Sequence, residues 1–356
     1  RQLPHKLCFG RASSFGRAWC RGGLMRVDQL SEAQILARIV PILPKGDFTA
    51  LGPGDDAAVV EAPGSQFVVT TDVLVEDVHF RRDWSSGFEV GVRAAAQNLS
   101  DVNAMGASAT SLVVAMVLPG DLELSWLEDF ASGLAAGLYP TGAGVVGGDL
   151  SIGEKLVISV AAHGTLVHRP LRRNGARPGD TVAIAGNLGQ SAAGLAALQA
   201  GAVSGALRGL DVPYPFTRPV ELYRIPEPPL EAGPLAASRG ATAMMDLSDG
   251  LVRDAGRMAE ASGVSIDLSR YGLQERAEEL SAPARALGVD PYEWLLFGGE
   301  DHGLLVTFPP YVLVTNPFFP VGTVSEYSPE LPERERARVT LDGRPVKGKG
   351  FDHFDR

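Results

Sequence analysis

Residues 52–60 read Gly-Pro-Gly-Asp-Asp-Ala-Ala-Val-Val, and residues 66–72 read Gln-Phe-Val-Val-Thr-Thr-Asp. The first stretch sets two adjacent carboxylates between glycines and an apolar run. The second ends an apolar run on an aspartate. Neighbouring negative charges about 4 Å apart repel, and more strongly beside a low-dielectric core. A lone Gly-Asp-Asp reads most simply as a solvated turn before a strand. The ending recurs, however: AGVVGGD stops at Asp149 and ATAMMD at Asp246. Strands that each stop on an aspartate can hold carboxylates rigidly on one side of a sheet, so these acids read as one site. Asp101, in AAAQNLSDVNAMGA, falls inside a helical pattern where aspartate is an indifferent helix former. It either faces solvent or has a partner.

Working outward, Ser31–Val40 predicts a short helix capped by Ser31, and DAAVVEA and QFVVTTD predict strands. Phe88–Met105 is helical by period and rich in small residues. SLVVAMVL predicts a buried strand, LSWLEDFASGLAAGL an amphipathic helix, and AGVVGGD and KLVISVAAHGTLV further strands. Composition breaks at RPLRRNGARPGD (169–180). TVAIAGN then predicts a strand, Gly189–Ala200 a helix, the proline-rich 211–234 a surface wrap, ATAMMD a strand and LVRDAGRMAEASG a helix. WLLFGGEDHGLLVTF places a turn between two apolar segments. The expected class is α+β, two mixed α/β domains over 27–166 and 167–356 after an extension at 1–26. Gly142–Gly147 fits G-x-G-x-x-G, but these glycines follow a helix and run into a strand. A dinucleotide fingerprint requires the opposite order.

The chain has 356 residues, 45% of them hydrophobic, and no run near the roughly 18 apolar residues of a membrane span. Cys8 and Cys20 are its two cysteines. A disulfide framework or cysteine zinc site in the body is excluded, and a reducing cytoplasm is the natural compartment. Net charge is −10, yet Arg1, Lys6, Arg11, Arg17, Arg21 and Arg26 face no acid in residues 1–26. So acidic a body is not built to neutralise DNA or RNA phosphates itself; phosphates would arrive through bound cations. The basic leader has the composition of a transit peptide. We read Met25 instead as a true start, and residues 1–24 as upstream sequence or a disordered tail.

No P-loop motif is present, and His79, His163, His168, His302 and His353 are scattered rather than spaced for zinc. Carboxylates with threonine hydroxyls suit magnesium, which is commonly shared with substrate phosphates. Ser248 reads as the N-cap of the helix after Asp246, its free backbone N–H groups offering either a simple cap or an anion site. Arg172, Arg173 and Arg177 either bracket a phosphate or decorate the interdomain linker.

Taken together, GPGDDAAVV, TTDVLVEDVHF, NLSDVNAMGA, VVGGDLS, RRNGARPGD, MMDLSDGL, GGEDHGL and the closing KGFDHF, in that order from Gly52 to Phe354, resemble the thiamine-monophosphate kinase family of the aminoimidazole-ribonucleotide synthetase superfamily. The resemblance implies direct in-line transfer of the ATP γ-phosphoryl group to thiamine monophosphate, the final step of thiamine diphosphate formation. Carried over by motif, Asp56, Thr70, Thr71, Asp72, Asp101, Asp149 and Asp246 would hold magnesium, with Asp249 for a further ion. Gly148, Asp149, Arg173 and Ser248 would contact ATP. His79, Glu300 and Phe351 would contact thiamine phosphate, Phe351 by stacking on the cationic ring. The superfamily also implies a homodimer in which the N-terminal sheets pair into a barrel; charge and hydropathy disfavour a nucleic-acid or membrane partner.

Three departures from the family pattern stand out. Asp77 replaces a usual glycine, residues 309–317 are too short for a helix expected there, and the N-terminal extension is additional. Rival readings are another ATP-using enzyme of the superfamily, or an idle Mg-ATP-binding module.

Overall fold

The computed structural model describes residues 25–53, 58–62, 66–330, 337–346 and 348. The expected magnesium ligand Asp56, its neighbour Asp55 and the expected ring-stacking Phe351 lie outside these residues, as does the extension up to residue 24.

Two helices cover one face of a four-stranded sheet. Its strands are β3 (Phe67–Val75), β4 (Ser108–Pro119), β5 (Gly144–Gly153) and β6 (Val157–Thr165), in the order β3-β6-β4-β5. Only the β4–β5 pair is parallel. A small hairpin of β1 (Thr49–Leu51) and β2 (Val59–Val60) precedes it, after the capped helix α1 (Glu32–Ile39). Helix α2 (Gly87–Ala104) starts at a capping box. Ser86 N donates to Glu89 Oε2 at 2.7 Å, and Glu89 N donates to Ser86 Oγ at 3.3 Å. The small residues of α2 have a packing cause. Helix α3 (Leu124–Leu138) lies so close that a Cβ on Gly91 would stand 2.2 Å from Phe130 O, and one on Gly133 1.9 Å from Phe88 O. The two backbones nearly touch.

Seven strands make the second sheet. They are β7 (Thr181–Ala185), β8 (Ala243–Leu247), β9 (Val264–Leu268), β10 (Gly303–Phe308), β11 (Phe318–Glu326), β12 (Val339–Leu341) and β13 (Arg344–Pro345), ordered β13-β12-β9-β11-β7-β10-β8. One face is covered by α7 (Leu251–Ser262), α8 (Arg270–Glu279), α9 (Ser281–Leu287) and α10 (Pro291–Phe297), with Leu251, Met258, Leu273, Ala284 and Leu295 in the core. On the other face, α6 (Ala232–Ser238) and Ala104 at the end of α2 are buried with Ala183, Met244 and Leu304. Thus α2 belongs to both halves of the chain.

Gly142–Gly147 does run into β5, as the fingerprint argument required. The stretch 211–234 departs from the expected surface wrap. It contains α5 (Thr217–Arg224), whose Val220 and Tyr223 bury against Ala197 and Leu198 of α4 (Gln190–Gln199). Pro219 falls in the first turn of α5, where a missing N–H costs little. Residues 309–317 carry no helix, and Val312 and Val314 pack onto the second core in its place. No helix among the described residues is long and apolar enough to cross a membrane.

Gly133→Ala should lower the urea midpoint by the equivalent of about 1–3 kcal/mol, the usual cost of overpacking. An unchanged midpoint would show that α2 and α3 can part freely.

Candidate active site

Alternation along β3 decides which of its side chains meet α2. Asp72 is in register with Val160, Val160 with Val114, and Val114 with Gly148, and this face carries the core. Thr70 and Asp72 therefore face α2. Thr71 points to the other face, where its hydroxyl donates to Val160 O at 2.9 Å. Asp149 is in register with Ala115, and through Ser159 with Val73, so it also lies on the outer face of the sheet. Among the described residues, neither Thr71 nor Asp149 is brought to the Asp72–Asp101–Asp246 group. Gly148 is on the inner side, so close to β4 that a Cβ would stand 2.0 Å from Val114 O.

Asp101 projects from α2 into this region and accepts a hydrogen bond from Thr70 Oγ1 at 2.9 Å. One turn earlier Gln97 Nε2 donates to Asp72, while Gln97 Oε1 is buried with no partner among the described residues. From the second sheet, Asp246 lies beside them, one residue short of the end of β8; β3 and β5 likewise run past Asp72 and Asp149 instead of stopping there. Burial, then the charge of Asp246 and, more weakly, that of Asp72, push the Asp101 carboxyl up to about 7 against the Thr70 hydrogen bond. Burial also raises Asp246, opposed by His302, the Ser248 side chain and Arg173. Thr70, Asp72, Asp101 and Asp246 thus form one electrostatic unit with Arg173 in range.

Ser248 is not the N-cap expected from the sequence. That position belongs to Gly250, at φ 109°, and the Ser248 and Asp249 N–H groups are not free. Both donate to Asp254 Oδ2, at 3.2 and 3.0 Å. Asp254 is buried, which with the charge of Asp246 raises its pKa to about 7. Asp249 pairs with Arg257 Nη1 at 2.6 Å, so an ion there would compete with a guanidinium.

A cleft of about 550 Å³ lies between the two sheets' loops and also reaches Ser248; its walls include Trp84, Tyr223, Trp294 and Phe297. His79 and Glu300 line it. Val75 N donates to His79 Nδ1 at 2.9 Å, so that nitrogen is the acceptor of the ring. Glu300 stands at φ 67°, its N–H held by Ser248 O at 2.9 Å. Asp77 has φ 66°, which explains a glycine preference at that position. Its exposed carboxylate lies 3.5 Å from Lys155 Nζ, so it faces a cation.

Arg93, Gln97 and His302 escaped the sequence reading as site residues. Arg93, Gln97 and Asp101 recur every fourth position of α2, a spacing that puts them on one helix face and was available as a signal. His302, expected as a surface or satisfied polar residue, is 2% exposed. Neither ring nitrogen has a hydrogen-bond partner among the described residues, and Nε2 is 4.0 Å from Glu300 Oε2. No periodicity could have announced that.

Among the described residues, no three His, Cys, Asp or Glu side chains converge tightly enough to hold a metal ion. The donor set nevertheless fits a hard cation. It offers carboxylates raised first by burial and then by neighbouring charge, a threonine hydroxyl and an unpartnered amide oxygen.

Two mixed α/β halves of this kind match the AIR synthase related proteins. The family's N-terminal domain matches residues 54–166 and its C-terminal domain residues 177–312. The thiamine-monophosphate kinase of Mycobacterium tuberculosis is 42% identical over 283 residues, covering 79% of this chain and 82% of that one. The Aquifex aeolicus enzyme is 36% identical over 302 residues, covering 85% and 92%. Among solved structures, AaThiL complexed with AMPPCP and TMP superposes with a TM-score of 0.72 at 33% identity, covering 93% of this chain and 99% of that one. The chain belongs to the thiamine-monophosphate kinase family.

Between the ordinary carboxylate value and about 7, folded Asp101 binds more protons than it does unfolded, so stability falls as pH rises through that window. In magnesium-free buffer Asp101→Asn should therefore raise Tm at about pH 8 and lose that gain near about pH 4. A gain independent of pH would show that Asp101 pays no penalty for its charge.

Proposed function

We propose that the protein transfers the γ-phosphoryl group of ATP, in line and with magnesium, to thiamine monophosphate, giving ADP and thiamine diphosphate. One observation carries this reading. The aromatic cleft holding His79 and Glu300 adjoins the Thr70–Asp72–Asp101–Asp246 cluster, in a chain that matches a relative solved with AMPPCP and TMP across nearly its full length.

The acceptor is the substrate's own phosphate, so no enzyme nucleophile is required. Trp84, Trp294 and Phe297 supply π-faces for a cationic ring. Glu300 supplies the complementary negative charge. Thr70, Asp72, Asp101 and Asp246 would hold magnesium, which when bound supplies charge neutralisation on the transferring phosphoryl group. Gln97 orients Asp72, and Thr70 orients Asp101. The Arg173 charge lies in range of Asp101 and Asp246, on the side where ATP phosphates would enter. Asp77, turned toward Lys155, gives no reason to read the site as idle.

The division into domains over 27–166 and 167–356 is part of the same reading, and cysteine usage supports a cytoplasmic setting. So is a homodimer. The outer face of the four-stranded sheet leaves Phe67 and Val69 each 61% exposed, along with Val73. An apolar face of this kind marks an interaction surface, and pairing there would also bring Thr71 and Asp149 to a subunit boundary.

Purified protein with Mg-ATP and thiamine monophosphate should form thiamine diphosphate, read by chromatography, and Asp101→Asn should reduce kcat by about a hundredfold or more. ATP binding without product in the wild type would reject the kinase. His79→Ala should raise KM for thiamine monophosphate while leaving KM for ATP within about twofold. An equal rise in both would remove His79 from the acceptor side.

A further inference from the structure

Among the described residues Arg93 is one of the largest buried side chains, at 2% exposure, and it forms part of the cleft wall. Nη1 donates to His79 O at 2.7 Å and lies 3.4 Å from Glu300 Oε2. The guanidinium carbon is 4.4 Å from the Tyr223 ring centroid, which holds the plane in one orientation. Nη2 has no hydrogen-bond partner among the described residues. Burying a guanidinium with an unsatisfied donor is costly, so the arrangement calls for a ligand that supplies the missing acceptor.

We infer that Arg93 binds the phosphate of the acceptor, so that the cleft recognises a zwitterion: a cationic ring toward Glu300 and the aromatic walls, and a phosphate at Arg93. This deepens the proposed function and rests on it. The other arginine of the cleft, Arg81, is committed. It pairs with Asp83 through two contacts, Nε–Oδ1 at 2.9 Å and Nη2–Oδ2 at 2.6 Å, and lies over Trp84. Arg93 keeps an N–H without a partner among the described residues, in a planar fork suited to phosphate oxygens. Its position on the fold fits the reaction. Arg93, Gln97 and Asp101 occupy one face of α2, about 12 Å from first to last at 1.5 Å per residue. A phosphate taken up at Arg93 therefore faces the carboxylates that would serve the γ-phosphoryl group, with Gln97 and its open Oε1 between. In the empty cleft, Glu300 partly satisfies Arg93. A zwitterion replaces that internal pair with two better ones, and an unphosphorylated ring replaces only one.

The test is calorimetric binding of thiamine monophosphate and of thiamine to the wild type, Arg93→Gln and Arg93→Lys, with AMPPCP and thermal unfolding as checks on folding. The wild type should prefer the phosphorylated ligand by about tenfold or more. Arg93→Gln should bind both ligands within about threefold of each other. Arg93→Lys, which keeps the charge and loses the fork, should show a reduced preference. A preference undiminished in Arg93→Gln overturns the inference, even if both ligands weaken together, because Arg93 would then support only the shape of the cleft. If Arg93→Gln does not fold, an undiminished preference in folded Arg93→Lys overturns it as well. So does a wild type that binds both ligands alike. Failure of the wild type to make thiamine diphosphate rejects the kinase reading separately, since the binding ratio does not depend on turnover.

Discussion

One helix has to satisfy two sheets. Helix α2 packs backbone to backbone on α3 through glycines and ends inside the core of the second sheet. Its polar residues then tie the loops of that second half to it. Ser100 Oγ donates to His302 O at 3.0 Å, Asn103 Nδ2 to Pro229 O at 2.9 Å, and Gly233 N to Asn103 Oδ1 at 2.8 Å. With the apolar faces of α2 occupied by packing, its remaining face, with Arg93, Gln97 and Asp101, is what the cleft between the halves presents. Where the site can be follows from that packing.

Electrostatics decide what the site can hold. Asp72, Asp101 and Asp246 are brought within range of each other by elements far apart in sequence, and burial leaves their mutual repulsion poorly screened. Such a group is stable when protons or cations accompany it. Farther along α2 the cleft has another character, with a buried guanidinium beside Glu300 and several aromatic faces. Glu300 and His302 both adopt positive φ, and the backbone is held there by Ser248 O and Leu247 O. Non-glycine residues in that region are uncommon. The hydrogen bonds to β8 and its following turn are what hold both residues in that conformation.

Much of this was legible beforehand because it is local. The periodicity of LSWLEDFASGLAAGL matches α3 at both ends, and the capping pattern around Ser31 gives α1. The glycines after α3 entered a strand, as their order along the chain demanded. The α5 helix was obscured by its prolines, which signal irregular backbone unless their place in a first turn is known. Ser248 was assigned a cap by its residue type. Asp254, five or six residues on, had already taken the N–H groups that the cap would have left open. Local preference could not foresee a competitor from the next turn of helix.

The sequence alone determined the element types, the acidic inventory and, through ordered motifs, the family. Each of these depends on neighbours within a few residues or on residue identity alone. The tertiary structure decided which acids meet. Strand alternation turns Thr70 and Asp72 inward and Thr71 outward, and the pairing of β4 with β5 sends Asp149 to the outer face. It also buried Arg93 and His302, which no window of sequence marks as buried. Those outcomes depend on register and on contacts between residues up to about two hundred positions apart, such as Arg93 with Glu300, and packing alone sets them.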